Sequence, residues 1–136
     1  MKILYATSEA VPFCKTGGLA DVAGSLPPAL AAQGAETAVI LPLYQQVREK
    51  FADKLTFRCF DYVNLAWRHA YCGLFSMVKD GVTWYFLDNE QYFGRPDLYG
   101  YLVDGERFGF FSRAVVRMLD HLDDWPDVIH CNDWQT

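Results

Sequence analysis

The 136-residue sequence predicts an α/β domain whose sheet is mostly parallel and includes one β-hairpin. The apolar run 3–6 has the length of a buried parallel strand, and a glycine-containing loop and a helical pattern follow it. A second apolar run, 37–41, comes after that helix and completes a strand–helix–strand unit. The dipeptide Asp80-Gly81 lies between two further apolar runs and is a strong hairpin signal. Together these patterns predict a Rossmann-like sandwich.

The first helix is predicted to run from Leu19 to Gln33, where apolar residues recur at helical spacing. Gly34 is its expected end, because glycine commonly ends helices. The pair Pro27-Pro28 predicts a kink or a break, since proline removes a helical N–H and its ring crowds the preceding turn. The segment 44–51 is predicted to form a second, short helix with a charged outer face.

The middle of the chain is predicted to form strands. Leu55, Phe57 and Cys59 alternate with polar residues, which predicts a half-buried strand. The two strands of the hairpin are expected at 74–79 and 82–87. At least part of the sheet, or an excursion from it, is therefore antiparallel.

The last third of the chain combines a loop, a helix and a strand. Residues 89–105 are polar and rich in glycine and aromatic side chains, so they predict a long loop, which in a compact domain is usually functional or mobile. An apolar stripe predicts a helix from Glu106 to Leu122, with Asp104 as its N-terminal cap. Residues 127–130 are the last predicted strand.

Composition and spacing exclude several classes of function. The net charge of −5 and the scattered basic residues argue against nucleic acid as a partner. No apolar stretch is long enough to span a membrane, and the N-terminus has no signal-peptide pattern, so a cytoplasmic protein is expected. Neither the cysteines nor the histidines have metal-site spacing, so neither a metal nor another cofactor is expected. The cysteines are interpreted as reduced, small apolar fillers, and they are Cys14, Cys59, Cys72 and Cys131.

The loop after the first strand is a candidate anion site. Gly17 and Gly18 permit positive φ angles and close approach of a ligand to the main chain, and the following helix begins with free N–H groups. Lys15 adds a positive charge to the same corner. The alternative is that the glycines only form a tight turn and Lys15 is solvated. The residues alone favour neither interpretation, the anion site or the tight turn, over the other.

The stretch from Lys15 to Val22, KTGGLADV, resembles the signature of bacterial glycogen synthases and plant starch synthases. Ser8-Glu9 before it and residues 24–27 after it resemble the flanks of that signature, and the resemblance extends over essentially the whole chain. It implies the N-terminal domain of a two-domain glucosyltransferase of the GT-B architecture. Such enzymes transfer glucose from ADP-glucose to the non-reducing end of an α-1,4-glucan, with retention and without a metal.

The resemblance also implies roles for residues of the signature. Lys15 would contact phosphate or the leaving nucleotide, and Gly17 and Gly18 would give the ligand access to the backbone. Asp21 lies in the first turn of the predicted helix, where its charge suits the helix dipole. A ligand contact and a structural role remain equally open for Asp21.

Two further segments resemble parts of the same family. Residues 130–136 resemble the segment whose aspartate lines the active site, which makes Asp133 the candidate catalytic carboxylate and His130 a candidate substrate contact. Alternatively, Asp133 caps a following helix and His130 is a satisfied histidine at a strand end. Residues 95–100 resemble the loop whose tyrosine contacts the sugar nucleotide, so Tyr99 is the matching candidate; the alternative is a tyrosine that packs a loop. Val103 departs from the family, many of whose members have a polar residue there.

Competing motifs do not fit. The glycines lack the G-x-G-x-x-G spacing of dinucleotide-binding proteins, and Lys15 precedes them, whereas the lysine of a P-loop follows its glycines. Because the sequence stops after residues 130–136, where a helix is expected, the chain is expected to be part of a longer protein and inactive alone. Two alternatives remain: a non-catalytic module that binds a nucleotide or a glucan, and a GT-B transferase that uses UDP-glucose.

Overall fold

Six strands form one mixed sheet in the computed structural model, which describes residues 1–136. The order of the strands across the sheet is β3-β4-β5-β2-β1-β6. The strands are β1 (Lys2–Ala6), β2 (Glu36–Pro42), β3 (Thr56–Leu65), β4 (Arg68–Lys79), β5 (Val82–Asp88) and β6 (Val128–Cys131). The helices are α1 (Gly18–Ala32), α2 (Gln45–Phe51), α3 (Glu90–Phe93) and α4 (Asp104–Met118).

The parallel part of the sheet contains the point at which the strand order reverses. Strand β1 pairs in parallel with β2 on one side and with β6 on the other, and β2 pairs in parallel with β5. The chain passes from β1 through α1 to β2 in one direction, and later returns from β5 through α4 to β6 beyond β1. Ligands of open α/β sheets bind in the crevice outside the carboxyl ends of the strands at such a reversal. Here that crevice lies next to Ala6 and Cys131, which are paired.

The antiparallel part is larger than predicted. The Asp80-Gly81 hairpin is confirmed, and both residues have the positive φ angles, 54° and 72°, that a two-residue hairpin turn of type I′ requires. A second hairpin, in which β3 pairs along its length with β4, was not predicted. The predicted half-buried strand around residues 55–59 is confirmed as part of β3, but Phe57 does not lie on its buried face, since this residue is 51% exposed.

Helix α1 runs unbroken through Pro27 and Pro28, so the predicted break is wrong. Proline holds a helical φ, and the loss of two N–H groups is offset here by packing, since Ala20, Ala23 and Pro27 are buried. The predicted end is confirmed within one residue. Gly34 follows the helix with a φ of 95°, a conformation that favours glycine.

The segment before α4 is more ordered than a long loop. The short helix α3 lies inside it, and α4 begins at Asp104, two residues earlier than predicted. Val103, not Asp104, is therefore the N-cap residue of α4, and the predicted cap is wrong. The Asp104 carboxylate instead accepts hydrogen bonds from the Gly100 N–H and from Arg107. The predicted core stripe of α4 is buried, and a short 3-10 helix, Leu119–His121, follows it.

The cysteine prediction holds in part. Cys14 and Cys72 are buried fillers, whereas Cys131, on the edge strand β6, is exposed. None of the helices is both long enough and apolar enough to cross a membrane.

We predict that Gly24→Ala destabilises the chain by about 1–3 kcal/mol, because overpacking forces the backbone or its neighbours to move. A methyl group at position 24 would lie 2.8 Å from the backbone oxygen of Val11, in the loop after β1, and would clash with the Val11 side chain. Urea denaturation measures the effect. Gly109→Ala is the matched control, since open space surrounds that helical position; it should be stabilising by about 0.5–1 kcal/mol. Equal effects of the two substitutions would contradict the prediction.

Candidate active site

The loop between β1 and α1 is anchored in the core. The backbone N–H of Ala10 donates to the carbonyl of Cys14 at 3.1 Å, and the N–H of Cys14 donates to the carbonyl of Ala10 at 2.9 Å. Between them, the buried ring of Phe13 packs against Trp84 and Phe86 with ring centroids about 5 Å apart. Burial raises the pKa of the Cys14 thiol to about 12, so it remains a neutral thiol. The start of the loop is therefore rigidly attached to the sheet.

The carboxylate of Glu9 is the centre of this corner. Glu9 is only 3% exposed, and its carboxylate accepts hydrogen bonds from four donors. The backbone N–H groups of Thr16 and Gly17 donate to Oε2 at 2.6 and 3.3 Å, and the Thr16 hydroxyl donates to Oε1 at 2.9 Å. The fourth donor is the hydroxyl of Tyr99, 2.9 Å from Oε1. One carboxylate thus holds the glycine loop and the distant tyrosine together.

Tyr99 is connected to the end of β1 by a second contact. Its hydroxyl lies 2.6 Å from Ser8 Oγ, and because it donates to Glu9 it accepts from Ser8. Burial raises the pKa of Tyr99 well above its ordinary value, so the hydroxyl keeps its proton. The buried Tyr44 hydroxyl donates to the carbonyl of Ser8 at 2.7 Å. Tyr99 is therefore not a tyrosine that merely packs a loop.

Lys15 and Asp21 form an exposed ion pair. Lys15 Nζ lies 2.9 Å from both carboxylate oxygens of Asp21, and the two side chains are 51% and 56% exposed. Asp21 occupies the first turn of α1, as predicted. Its partner in the structure is the signature lysine, so it holds the Lys15 ammonium at the start of the helix.

Neither Gly17 nor Gly18 uses the positive φ angle that glycine permits. Gly17 is the N-cap of α1 with extended backbone, and nothing lies within 4 Å of where a Cβ of Gly17 or Gly18 would be. Glu9 already occupies the Gly17 amide, whereas the amides of Gly18 and Leu19 donate to no protein acceptor. The two glycines therefore leave room for a ligand to approach the backbone, and neither is required by a positive-φ turn.

The end of β6 lies beside the end of β1. Asn132 Nδ2 donates to the carbonyl of Ala6 at 2.8 Å, across the point of strand reversal. The ring of His130 packs on Tyr5 at 4.7 Å. Asp133 is exposed, has a φ of 63°, and accepts a hydrogen bond from the Trp134 N–H at 2.8 Å.

The predicted residues lie at one edge of the sheet but not in one contact network. Glu9 joins the loop to Tyr99, and the Tyr99 ring packs against Trp134 at 6.1 Å. Asp133 and His130 make no hydrogen bond to Lys15 or Tyr99. Three cavities lie elsewhere in the structure: at the amino ends of β1 and β2, between β3 and α4, and beside residues 88–91.

Four of the side chains that hold this corner together were not predicted from the sequence as site residues. They are Ser8, Glu9, Asn132 and Trp134. Ser8 and Glu9 were noted only as flanks of the signature. The sequence does contain a signal for Glu9, which lies between an apolar strand and the apolar stretch 10–14. An acidic residue in that position is expected to be buried, and a buried carboxylate must find hydrogen-bond donors. No three His, Cys, Asp or Glu side chains converge on a metal position.

Comparisons with known proteins agree with this description. A family model described as the starch synthase catalytic domain matches residues 2–136. The whole chain aligns with glycogen synthases of Caldicellulosiruptor bescii (54% identity) and Lactobacillus acidophilus (48% identity), covering 28% and 29% of their lengths. The catalytic domain of starch synthase IV from Arabidopsis thaliana, bound to ADP and acarbose, superposes with a TM-score of 0.84 at 28% identity. That match covers 98% of this chain and 28% of the plant chain.

The chain thus spans less than a third of the length of the relatives that it matches. The family match extends over nearly all of its residues and includes the strand reversal, the glycine loop and the tyrosine that Glu9 holds. This chain therefore belongs to the starch synthase catalytic domain family.

Proposed function

We propose that residues 1–136 are the N-terminal Rossmann-like domain, in part, of a two-domain glucosyltransferase of the GT-B architecture. The reaction proposed for the full-length protein is glycogen or starch synthesis. Glucose would pass from ADP-glucose to the non-reducing end of an α-1,4-glucan, with retention. The glycogen synthases among the relatives and the starch synthase bound to ADP and acarbose support this substrate pair.

The observation that carries the proposal is the placement of the Lys15 ammonium and two free helix-terminal amides at the strand reversal. When the glycosidic bond of a nucleotide sugar breaks, negative charge develops on the departing diphosphate. Lys15, with the free amides of Gly18 and Leu19, supplies one positive charge and two aligned donors at the start of α1. Donors that are already in position stabilise such charge without further reorganisation. Asp21 would hold the ammonium in place until the diphosphate arrives.

The remaining candidates would contact the sugar or the nucleotide. Tyr99 presents a protonated hydroxyl next to the loop, held by Ser8 and Glu9. Asp133 is an exposed carboxylate at the strand reversal, able to orient a sugar hydroxyl, and is the proposed catalytic carboxylate of this chain. His130, on the neighbouring strand end, is a proposed substrate contact.

The location and the donor are also parts of the proposal. All four cysteines are free thiols, which supports a reducing compartment such as the cytoplasm. The preferred donor is ADP-glucose, which the ADP in the plant relative supports. UDP-glucose as donor, or binding without catalysis, are the alternatives.

Glucan elongation by the full-length protein, assayed with ADP-glucose and with UDP-glucose beside the 136-residue chain, tests the proposal. We predict transfer by the full-length protein, preference for ADP-glucose, and no transfer by the chain alone. Preference for UDP-glucose would favour the alternative donor. Binding of ADP or glucan without transfer from either donor would favour the non-catalytic module.

In the full-length protein, we predict that Lys15→Ala lowers kcat by about a hundredfold, the usual scale for removal of one group that stabilises developing charge. Lys79→Ala is the matched control, because Lys79 also forms an exposed ion pair, with Asp80, but lies on the hairpin. It should leave kcat unchanged. Equal rates of the two variants would remove Lys15 from the site.

A further inference from the structure

Arg107, in α4, is a charged side chain with no exposed surface. Its Nε donates to the carbonyl of Tyr92 at 2.6 Å, and its Nη1 donates to the carbonyl of Leu98 and to Asp104 Oδ1, both at 2.8 Å. A buried guanidinium is costly unless it is paired, and an apolar side chain could fill the same space. What an apolar side chain could not supply is this set of directed hydrogen bonds to the segment before α4.

Asp104 completes the arrangement from the other side. Its Oδ1 accepts from Arg107, and its Oδ2 accepts from the backbone N–H of Gly100 at 2.9 Å. The carbonyl of Leu98 and the N–H of Gly100 are the backbone groups immediately before and after Tyr99. Both are therefore bound by one ion pair on α4.

The chain turns sharply at this point, since Gly100 has a φ of 98°. A turn between two anchored backbone groups leaves the Tyr99 side chain few orientations. In the observed orientation its hydroxyl meets Ser8 and Glu9, about 90 residues earlier in the sequence. The rings of Tyr101 and Phe108, centred 4.8 and 5.2 Å from the guanidinium carbon, enclose Arg107.

We propose that the Asp104–Arg107 ion pair is a positioning device that fixes the backbone on both sides of Tyr99 and thereby holds its hydroxyl against Ser8 and Glu9, beside the glycine loop that would bind the sugar nucleotide. The inference rests on the proposed function, in which Tyr99 contacts the sugar nucleotide. Neither Asp104 nor Arg107 touches the substrate in this arrangement. Their effect on the reaction passes entirely through Tyr99.

The test is Asp104→Asn in the full-length protein. Loss of the charged acceptor loosens the turn, and we expect KM for ADP-glucose to rise about five- to tenfold, the effect of about one lost hydrogen bond. The kcat should change by less than about twofold, because a contact made equally in the ground and transition states affects KM alone.

Asp61→Asn is the matched control. Asp61 also pairs with an arginine of α4, Arg117, at 3.0 Å, and its side chain is 19% exposed, as is that of Asp104. Its pair connects α4 to β3 and does not touch the Tyr99 segment. Both substitutions should lower stability towards urea, but only Asp104→Asn should raise KM. An unchanged KM for Asp104→Asn would overturn the proposal.

A double-mutant cycle separates positioning from general damage. In a Tyr99→Phe background, which lacks the hydroxyl, Asp104→Asn should raise KM no further. The same additional rise in both backgrounds would mean that the pair does not act through Tyr99. If Asp104→Asn does not fold, Arg107→Lys replaces it, with the same criteria.

A fluorotyrosine at position 99, followed by fluorine NMR in the full-length protein, supplies a readout that needs no activity. The resonance should shift or broaden in Asp104→Asn and stay unchanged in Asp61→Asn; an unchanged resonance in both would overturn the positioning role. Absence of any glucosyl transfer by the unsubstituted protein would instead overturn the proposed function. The fluorine signal would still decide whether the pair positions Tyr99.

Discussion

Glu9 carries a carboxylate almost entirely removed from water, and a charge in that position is stable only when donors surround it. Four donors from two distant parts of the chain do so here: three from Thr16 and Gly17, and one from Tyr99. Away from water, each of these hydrogen bonds is electrostatically stronger, and leaving the carboxylate without its donors would cost more free energy. The loop and the tyrosine are therefore held in one relative position before any ligand arrives.

The sheet topology explains why this corner is suited to a ligand. Strands β1 and β6 end side by side where the strand order reverses, and Asn132 joins them by donating to Ala6. The helix that leaves β1 directs its first amides into the same space. Glu9 occupies one helix-terminal amide and leaves those of Gly18 and Leu19 without a protein acceptor, so the site combines a fixed loop with two unpaired donors of the kind that anions bind.

Local patterns in the sequence predicted the parallel strands, α1 and the Asp80-Gly81 hairpin, because burial on both faces and turn chemistry are local properties. They predicted a strand around Phe57 but not its hairpin with β4, because the turn between the two strands is Ala66-Trp67, which contains none of the usual turn residues. The signature proposes Lys15 as a site residue, and a second family segment proposes Tyr99. The apolar residues on both sides of Glu9 were a local signal for a buried acid, but its partner Tyr99 lies 90 residues away, and no local pattern encodes that contact.

Amide hydrogen exchange at Thr16 and Gly17, compared between the full-length protein and its Glu9→Gln variant, tests most directly whether this carboxylate organises the site. In the variant, the side-chain NH2 group of glutamine, itself a donor, would face N–H and O–H donors that require an acceptor oxygen. We predict that the two amides exchange at least about tenfold faster in the variant, the effect of losing one charge-assisted hydrogen bond, while the Val115 amide in α4 is unaffected. Unchanged exchange at both positions would contradict the account.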